Sequence, residues 1–496
     1  MAIAIVFIFD FAAQLIQSPL TRIYEGIICR NYYAIHDPLL YPVGRQIPES
    51  ECKIPPVQSE LAFVRGMGPV FDAIPSLLSA IPLGILADNP KIGRKPIILT
   101  ALIASVAQTI WVLVVCWFSD TLPLRMVWLG SFFMVAGGAE VINAILYTML
   151  IDITAPNERA STFFTLHLTG TWLPVLLAPP VTSALMVEKG NWVPVLIGLF
   201  LSFVGTSIAA FVPETINFRD QLPAKDPAQV EELGPVTPPS PPSPQPSPAV
   251  DALETGKLQQ QFRDFIDSSS FVFHSPHLII LICSLTMHVI SSFRAMDMVI
   301  YYASARYDIS IAKANLLNTV NAGVSIGVLS FLPIASVFLT EQLKYTSQRK
   351  DLLIAQTSVT MFAIGWFGVG LAPELSLAVA GLVVVTLGTG FSGSVRSLAA
   401  SYVEPHHQAR LSSFIAVTMA AGNFVGSPLL AWLYGLGVSV GDRIWYGLPF
   451  MALGTSFVVI ASALWRTASQ SSQMRMSLDG GARTRHRNLS RPCPPS

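Results

Sequence analysis

The sequence predicts an all-α membrane protein whose twelve transmembrane helices form two pseudo-symmetric six-helix bundles, and three observations predict it. Only 12% of the 496 residues are charged against 52% hydrophobic, with a mean hydropathy of +0.55, whereas a soluble chain carries about a quarter charged residues. Twelve apolar runs of bilayer-spanning length follow one another, six on each side of a Pro/Ser-rich break. The two sets of six also carry matching marks at equal spacing. Pro82 and Pro333 lie 251 positions apart (333 less 82), as do Phe163 and Phe414 (414 less 163), and a basic pair, Arg94-Lys95 or Arg349-Lys350, follows each proline before the next run. Parallel repeats of this kind pack as two bundles related by an axis along the membrane normal.

The first run, 2–22, lacks a basic leader and carries Asp10, Gln14 and Gln17, so it reads as a transmembrane helix and not as a cleaved signal peptide. Runs near 63–87, 97–119, 125–151, 160–186 and 191–212 complete an N-terminal bundle over 1–212. Between Gly234 and Pro248 proline and serine dominate, a composition that holds neither a helix nor a core. A cytoplasmic disordered linker is therefore expected over 213–275, a spacer whose Ser-Pro steps also offer phosphorylation sites. Runs near 276–302, 313–339, 352–372, 375–401, 410–435 and 444–466 make the C-terminal bundle, 276–466, and a basic tail follows over 467–496.

Lys and Arg counted on alternate sides set the orientation. Of the 30, eighteen fall on the side that holds the linker and the tail, ten on the other, and two, Arg294 and Arg396, inside runs. N-terminus, linker and C-terminus are thus expected in the cytoplasm, with the plasma membrane as the host bilayer, and Asn488-Leu-Ser inside the cell and unglycosylated. Cys29 and Cys52 share one expected external loop and can bridge in an oxidising compartment, whereas Cys116, Cys283 and Cys493 fall in helices or the tail.

Polar residues on one face of an apolar helix avoid lipid and mark a cavity or a helix contact. Asp10, Gln14 and Gln17 share a face of the first helix, Glu140, Asn143 and Tyr147 one of the fourth, Arg294, Asp297 and Tyr301 one of the seventh, and Asn318, Asn321 and Ser325 one of the eighth. Asp10 and Glu140, nearest mid-helix, are candidate proton carriers, since a desolvated carboxyl titrates closer to neutrality; each can equally be a fixed interhelical partner. Arg294 and Asp297 can pair with each other, Asp72 can serve either purpose, and His167 and His288 are lesser candidates for a relay. The candidate substrate or coupling set is Asp10, Gln14, Glu140, Asn143, Arg294, Asp297, Asn321 and Arg396. No phosphate-binding Gly-x-x-x-x-Gly-Lys-Ser/Thr and no His/Cys cluster is present in the sequence, so neither nucleotide drive nor a metal or other cofactor is expected.

The turn Gly84-Ile-Leu-Ala-Asp88-Asn-Pro-Lys-Ile-Gly93-Arg94-Lys95 resembles the loop between the second and third helices of the major facilitator superfamily, matching at Gly84, Leu86, Asp88, Gly93, Arg94 and Lys95, with a longer step from Asp88 to Gly93. The resemblance implies a gate of Asp88, Gly93, Arg94 and Lys95, extended by Asp152 and Arg159 around the next cytoplasmic loop, with Pro213-Glu-Thr as the exit from the first half. Two further segments, Pro19-Leu-Thr-Arg-Ile-Tyr-Glu-Gly-Ile-Ile-Cys-Arg-Asn-Tyr-Tyr33 and Val395-Arg396-Ser-Leu-Ala-Ala-Ser-Tyr-Val-Glu404-Pro, resemble the solute-carrier group of the proton-coupled folate transporter and its fungal relatives. That likeness implies a substrate role for Arg396, which can instead reach the interface and pair with Glu404. The fifth helix reads Gly170-Thr-Trp-Leu-Pro174-Val-Leu-Leu-Ala-Pro-Pro180, without the glycine pattern common in drug and proton antiporters.

The resulting expectation is a secondary active transporter of a small organic solute, a secondary metabolite or organic anion, working by alternating access with proton coupling. The alternative is a receptor or scaffold that keeps the fold and moves nothing. Enzyme chemistry and nucleic-acid binding are not expected; the expected partners are the solute, protons and the lipid bilayer, with the chain as a monomer.

Overall fold

A computed structural model of the chain describes residues 2–38, 47–87, 89, 91–154, 162, 165–215, 275–403 and 408–466. Asp88, Arg159, Glu404, most of the expected linker and the whole expected tail lie outside the described residues, and Glu140 and Asp152 are placed by backbone alone. Among the described residues there are helices and no strands, and twelve of the helices are long and apolar enough to cross a membrane.

These are α1 (Ala2–His36), α2 (Pro55–Ala87), α3 (Arg94–Trp117), α4, α5 (His167–Lys189), α6 (Trp192–Ala210), α7 (His277–Arg306), α8 (Ile311–Glu341), α9 (Ser347–Leu371), α10 (Leu375–Ser401), α11 (Gln408–Ser439) and α12 (Arg443–Arg466). α4 is broken: a 3-10 stretch, Leu124–Ala136, gives way to the α-helix Ala139–Ile153. The break falls at Gly137, whose φ of +123 favours glycine and where a Cβ would sit 2.6 Å from that of Ala101. π turns interrupt α5 at His167–Trp172 and α7 at Ile290–Ala295, and Gly388–Gly390 tightens α10.

α1 differs most from expectation. It runs on past residue 22 to His36, so Cys29 lies on a helix and not in a loop. The helix keeps Arg22 and Glu25 in its course because the two pair at 3.1 Å and Glu25 finds further partners on the segment that follows. Cys29 is disulfide-bonded to Cys52, at the end of a short 3-10 helix, Glu49–Cys52.

The chain divides into two compact units. Unit 1 comprises 1–268, 296–323 and 424–443; unit 2 comprises 269–295, 324–423 and 444–496. α7, α8 and α11 therefore each contribute one portion to unit 1 and another to unit 2. Within unit 1 an apolar core joins Ile5, Ala87, Ile98, Leu102, Ile145, Met149 and Ala209, from α1 to α4 and α6. Unit 2 has an aromatic core. Trp366 is wholly buried, stacks on Phe450 at 5.3 Å between centroids and donates its indole N–H to Ser291 Oγ at 2.7 Å, while Phe362 packs against Phe391 and Phe457.

Candidate transport site and gates

The polar stripe of α1 faces protein. Asp10 is half-buried and accepts a hydrogen bond from Thr171, in the π turn of α5, and Tyr147 of α4 lies near enough to feel its electrostatic field. The π turn His167–Trp172 that carries Thr171 packs against α1. About two turns further along, Gln17 Nε2 donates to Asp297 Oδ1 at 2.7 Å. Ser18 Oγ donates to Asn315 Oδ1 at 2.6 Å, and Asn315 in turn donates from Nδ2 to the Pro179 carbonyl. Helix α1 is thus tied, inside unit 1, to α5, to the unit 1 portion of α7 and to the start of α8. Gln14 is half-buried and Asn143 exposed, and Asn321 is half-buried on α8.

At the disulfide end of unit 1, outside the polar stripes of the spans, lies a charge cluster. Glu25 is fully buried; its Oε1 accepts from Lys53 Nζ and from Gln58 Nε2, each at 2.7 Å, and its Oε2 from Arg22 at 3.1 Å. Lys53 also reaches Glu49 at 3.1 Å and Ser304 Oγ at 2.6 Å, and Glu49 accepts from the Ile311 backbone N–H at 2.8 Å. Two acids and two bases balance, and the lysine spreads its donors over α1, the 3-10 segment and the end of α7. A buried ion cluster is tolerable only when each charge is answered in this way.

The opposite end of unit 1 holds the turn. Gly93 has φ +80 and is the residue before α3. Glu214, 120 residues on, accepts the Arg94 backbone N–H at Oε1 (3.1 Å) and that of Lys95 at Oε2 (2.9 Å), so a carboxylate caps the first turn of α3. A Cβ on Gly93 would sit 2.4 Å from Glu214 Oε2. Arg94 is buried, and its Nη1 donates to the Thr148 carbonyl of α4 at 2.8 Å. The turn therefore ties α3, α4 and the exit from α6. Asp72, left open between two purposes, accepts from Gln108 at 2.6 Å and Ser131 at 2.5 Å and joins α2, α3 and α4.

In unit 2, Arg396 is exposed, with Nη2 3.1 Å from Met419 Sδ, and its charge is felt at the buried His288. His288 sits against Phe362 and Phe391, with Ser292 Oγ 3.3 Å from Nδ1. Arg294 is half-buried in the π turn of α7. Among the described residues no His/Cys/Asp/Glu group has the arrangement of a metal site.

Twelve apolar spans among the described residues, a polar stripe on α1 turned toward protein, and hydrogen-bonded clusters at both ends of unit 1 fit a multi-pass carrier. The chain belongs to the major facilitator superfamily, whose model matches residues 70–427. It is similar to fungal transporters over most of its length: 30% identical over 460 residues to the MFS efflux pump atnC of Emericella nidulans, covering 92% of this chain and 84% of that one, and 28% identical over 444 residues to the efflux pump ustT of Aspergillus flavus, covering 87% and 81%. Among solved structures it shares its fold with the human organic anion transporter MFSD10 (TM-score 0.53, 14% identity, 93% and 98% covered). It does so too with the peptide transporter POT in complex with sulfate (TM-score 0.54, 13% identity, 95% and 94% covered). The protein is a secondary active transporter of a small solute.

Proposed function

We propose that the protein exports a small organic anion, a secondary metabolite in its native setting, in exchange for protons and by alternating access. Export is supported by the relatives named as efflux pumps, and alternating access by the superfamily's paired repeats. The coupling group is Asp10, with Glu140 of α4 as its partner in the relay. The observation that carries the coupling is the setting of Asp10: a half-buried carboxyl hydrogen-bonded by Thr171, on the helix that also grips α7 and α8 through Gln17 and Ser18. A proton gained there changes the hydrogen bonding of the helix that must move.

Arg396 supplies the counter-charge for the anion, and Arg294, Asn321, Gln14, Asn143 and Asp297 are the further polar residues assigned to solute handling or coupling. Kinship with the folate-carrier group, resting on residues 19–33 and 395–405, favours this use of Arg396. The disulfide end faces outward, the Gly93 end inward, and the chain works as a monomer in the plasma membrane with both termini and the linker in the cytoplasm. Asp88, Asp152 and Arg159 complete the inner gate that Gly93, Arg94 and Lys95 begin. It acts as a carrier and not as an enzyme.

The test is transport of candidate organic anions into inside-out vesicles from cells expressing the protein, with and without a proton gradient. Uptake driven by an acid interior and lost in Asp10→Asn is the expected result, with counterflow exchange of the same solute retained. Gradient-driven uptake that survives in both Asp10→Asn and Glu140→Gln would overturn the coupling assignment. A fold-retaining protein that moves no solute in any gradient would favour the receptor reading.

A further inference from the structure

One face of α8, within unit 2, does not close on its neighbours. Val324, Gly327, Val328, Phe331, Leu332 and Ser336 recur at the spacing of a single helical stripe. Between this stripe and residues Ile354, Thr357, Ser358, Leu387 and Gly390 of α9 and α10 lies a cavity of 540 Å³. Past Leu332 it continues into a second space of 250 Å³, bounded by Ser336, Lys350, Asp351, Gly393 and Ser394. A Cβ at Gly327 or Gly393 would meet nothing within 4 Å, so the backbone itself leaves room there.

The chemistry changes along this groove. Its longer part is apolar, and Thr357 turns its hydroxyl onto the Leu353 and Ile354 carbonyls of its own helix, giving a polar solute few handles. The shorter part is polar: Lys350 Nζ is held by Ser336 Oγ at 2.9 Å, and Asp351 is occupied by Ser397 Oγ at 2.6 Å and lies 3.8 Å from the lysine. Exposed Arg349, over the Tyr345 ring, and exposed Lys344 leave this end with three cations against Asp351 and Glu341. From Val324 to Ser336 the stripe climbs roughly 18 Å at the rise of an α-helix, close to one leaflet, half of the ~30 Å hydrocarbon core. The flank of α8 is greasy, with Phe331 63% and Ile334 64% exposed.

We infer that the groove is a binding site for an anionic phospholipid, one acyl chain lying between α8 and α9/α10 and the phosphate resting on Lys350 and Arg349. A leaflet-length apolar slot cannot hold water at low cost, and basic side chains at its interfacial end attract anionic headgroups. The lipid wedges the inner part of α8 away from α9 and α10 and fills the space that direct packing would otherwise occupy.

The full chain is reconstituted in nanodiscs of phosphatidylcholine with a minor share of phosphatidylserine, then released for native mass spectrometry. Wild type retains phosphatidylserine preferentially. Arg349→Gln with Lys350→Gln lowers that preference roughly 10- to 30-fold, as two basic residues would, and Gly327→Leu, which fills the slot, lowers retention of either lipid. Independently of any variant, phosphatidylserine carrying a photoreactive group on its acyl chain labels peptides containing Phe331–Leu332 or Ile354–Ser358 in wild type. Retention without headgroup preference in wild type, or photolabel confined to other helices, overturns the proposal. So does a Gly327→Leu protein that keeps its lipid while its affinity for transported solute falls, which would give the groove to the solute.

Discussion

Lys53 delivers its ammonium to Glu25 at 2.7 Å in a site where the glutamate is fully buried and the lysine side chain only 5% exposed. The pair joins α1 to the 3-10 segment, and the same lysine reaches Ser304 on α7. Removing one partner of a buried pair strands the other charge at a cost of about 3 to 5 kcal/mol. Glu25→Ala is therefore expected to lower the midpoint of thermal unfolding in detergent sharply, while Glu25→Ala with Lys53→Ala recovers part of the loss. If the double variant is as unstable as the single one, the charge pairing is not what holds this end together.

The disulfide between Cys29 and Cys52 closes a loop of 23 positions, for which chain entropy gives about 3 kcal/mol of stabilisation. Cys29 and Cys52 are both buried, and Gln58, which donates to Glu25, also donates to the Cys52 carbonyl. Cys29→Ser with Cys52→Ser should lower the unfolding midpoint and expose the Lys53 segment to limited proteolysis, and a reductant should do the same to wild type more slowly. Unfolding curves that coincide for wild type and the double variant would mean that the charge cluster alone fixes the segment.

What the sequence made legible follows from the reach of each signal. Hydropathy runs located all twelve spans because burial in lipid is a local demand on every residue of a span. The overrun of α1 was not legible, since Arg22, Glu25 and Arg30 read as loop residues until Lys53, Gln58 and Glu49 are known to answer two of them. Similarly, helical spacing identified Asp10 and Gln17 as protein-facing, but their partners Thr171 and Asp297 lie 161 (171 less 10) and 280 positions away. Glu214 stood in a recognised exit motif; only the folded chain brings it to Gly93. Arg22 and Glu25 share a helical spacing on α1, but nothing periodic points to Lys53, which comes from a separate element.

At that exit, Glu214 caps α3 through two backbone N–H groups and leaves no space for a side chain on Gly93. Gly93→Ala suffers twice: its φ of +80 is disfavoured for alanine, and its methyl displaces the capping carboxylate. Glu214→Ala suffers once, losing a cap worth roughly 0.5 to 2 kcal/mol. Thermal unfolding should rank the proteins wild type, Glu214→Ala, Gly93→Ala in falling order, and transport should fall in the same order. In the Glu214→Ala background, Gly93→Ala should lose less than in wild type, since the clash is gone; equal losses would show that the two residues act independently.

If the disulfide end of unit 1 opens during transport, the hydrogen bonds from α1 to α7 and α8 are expected to resist that opening. Gln17 to Asp297 and Ser18 to Asn315 are single, partly or fully buried bonds, each worth about 1 kcal/mol net. Deleting one shifts a two-state equilibrium by roughly fivefold, enough to change the population of an open form without unfolding the protein. Ser304 is buried under Lys53 on the portion of α7 that these bonds hold, so a cysteine there reports the opening. Labelling of Ser304→Cys by a membrane-impermeant maleimide from the outside should be slow alone, faster with Gln17→Ala, and faster again with Asn315→Ala added. Transport would then move towards a lower affinity for protons or solute on the inner side, because more of the protein already faces outward. A label rate unchanged by either deletion would mean that the bonds are not part of the gate and that α1 moves with α7 and α8 as one body.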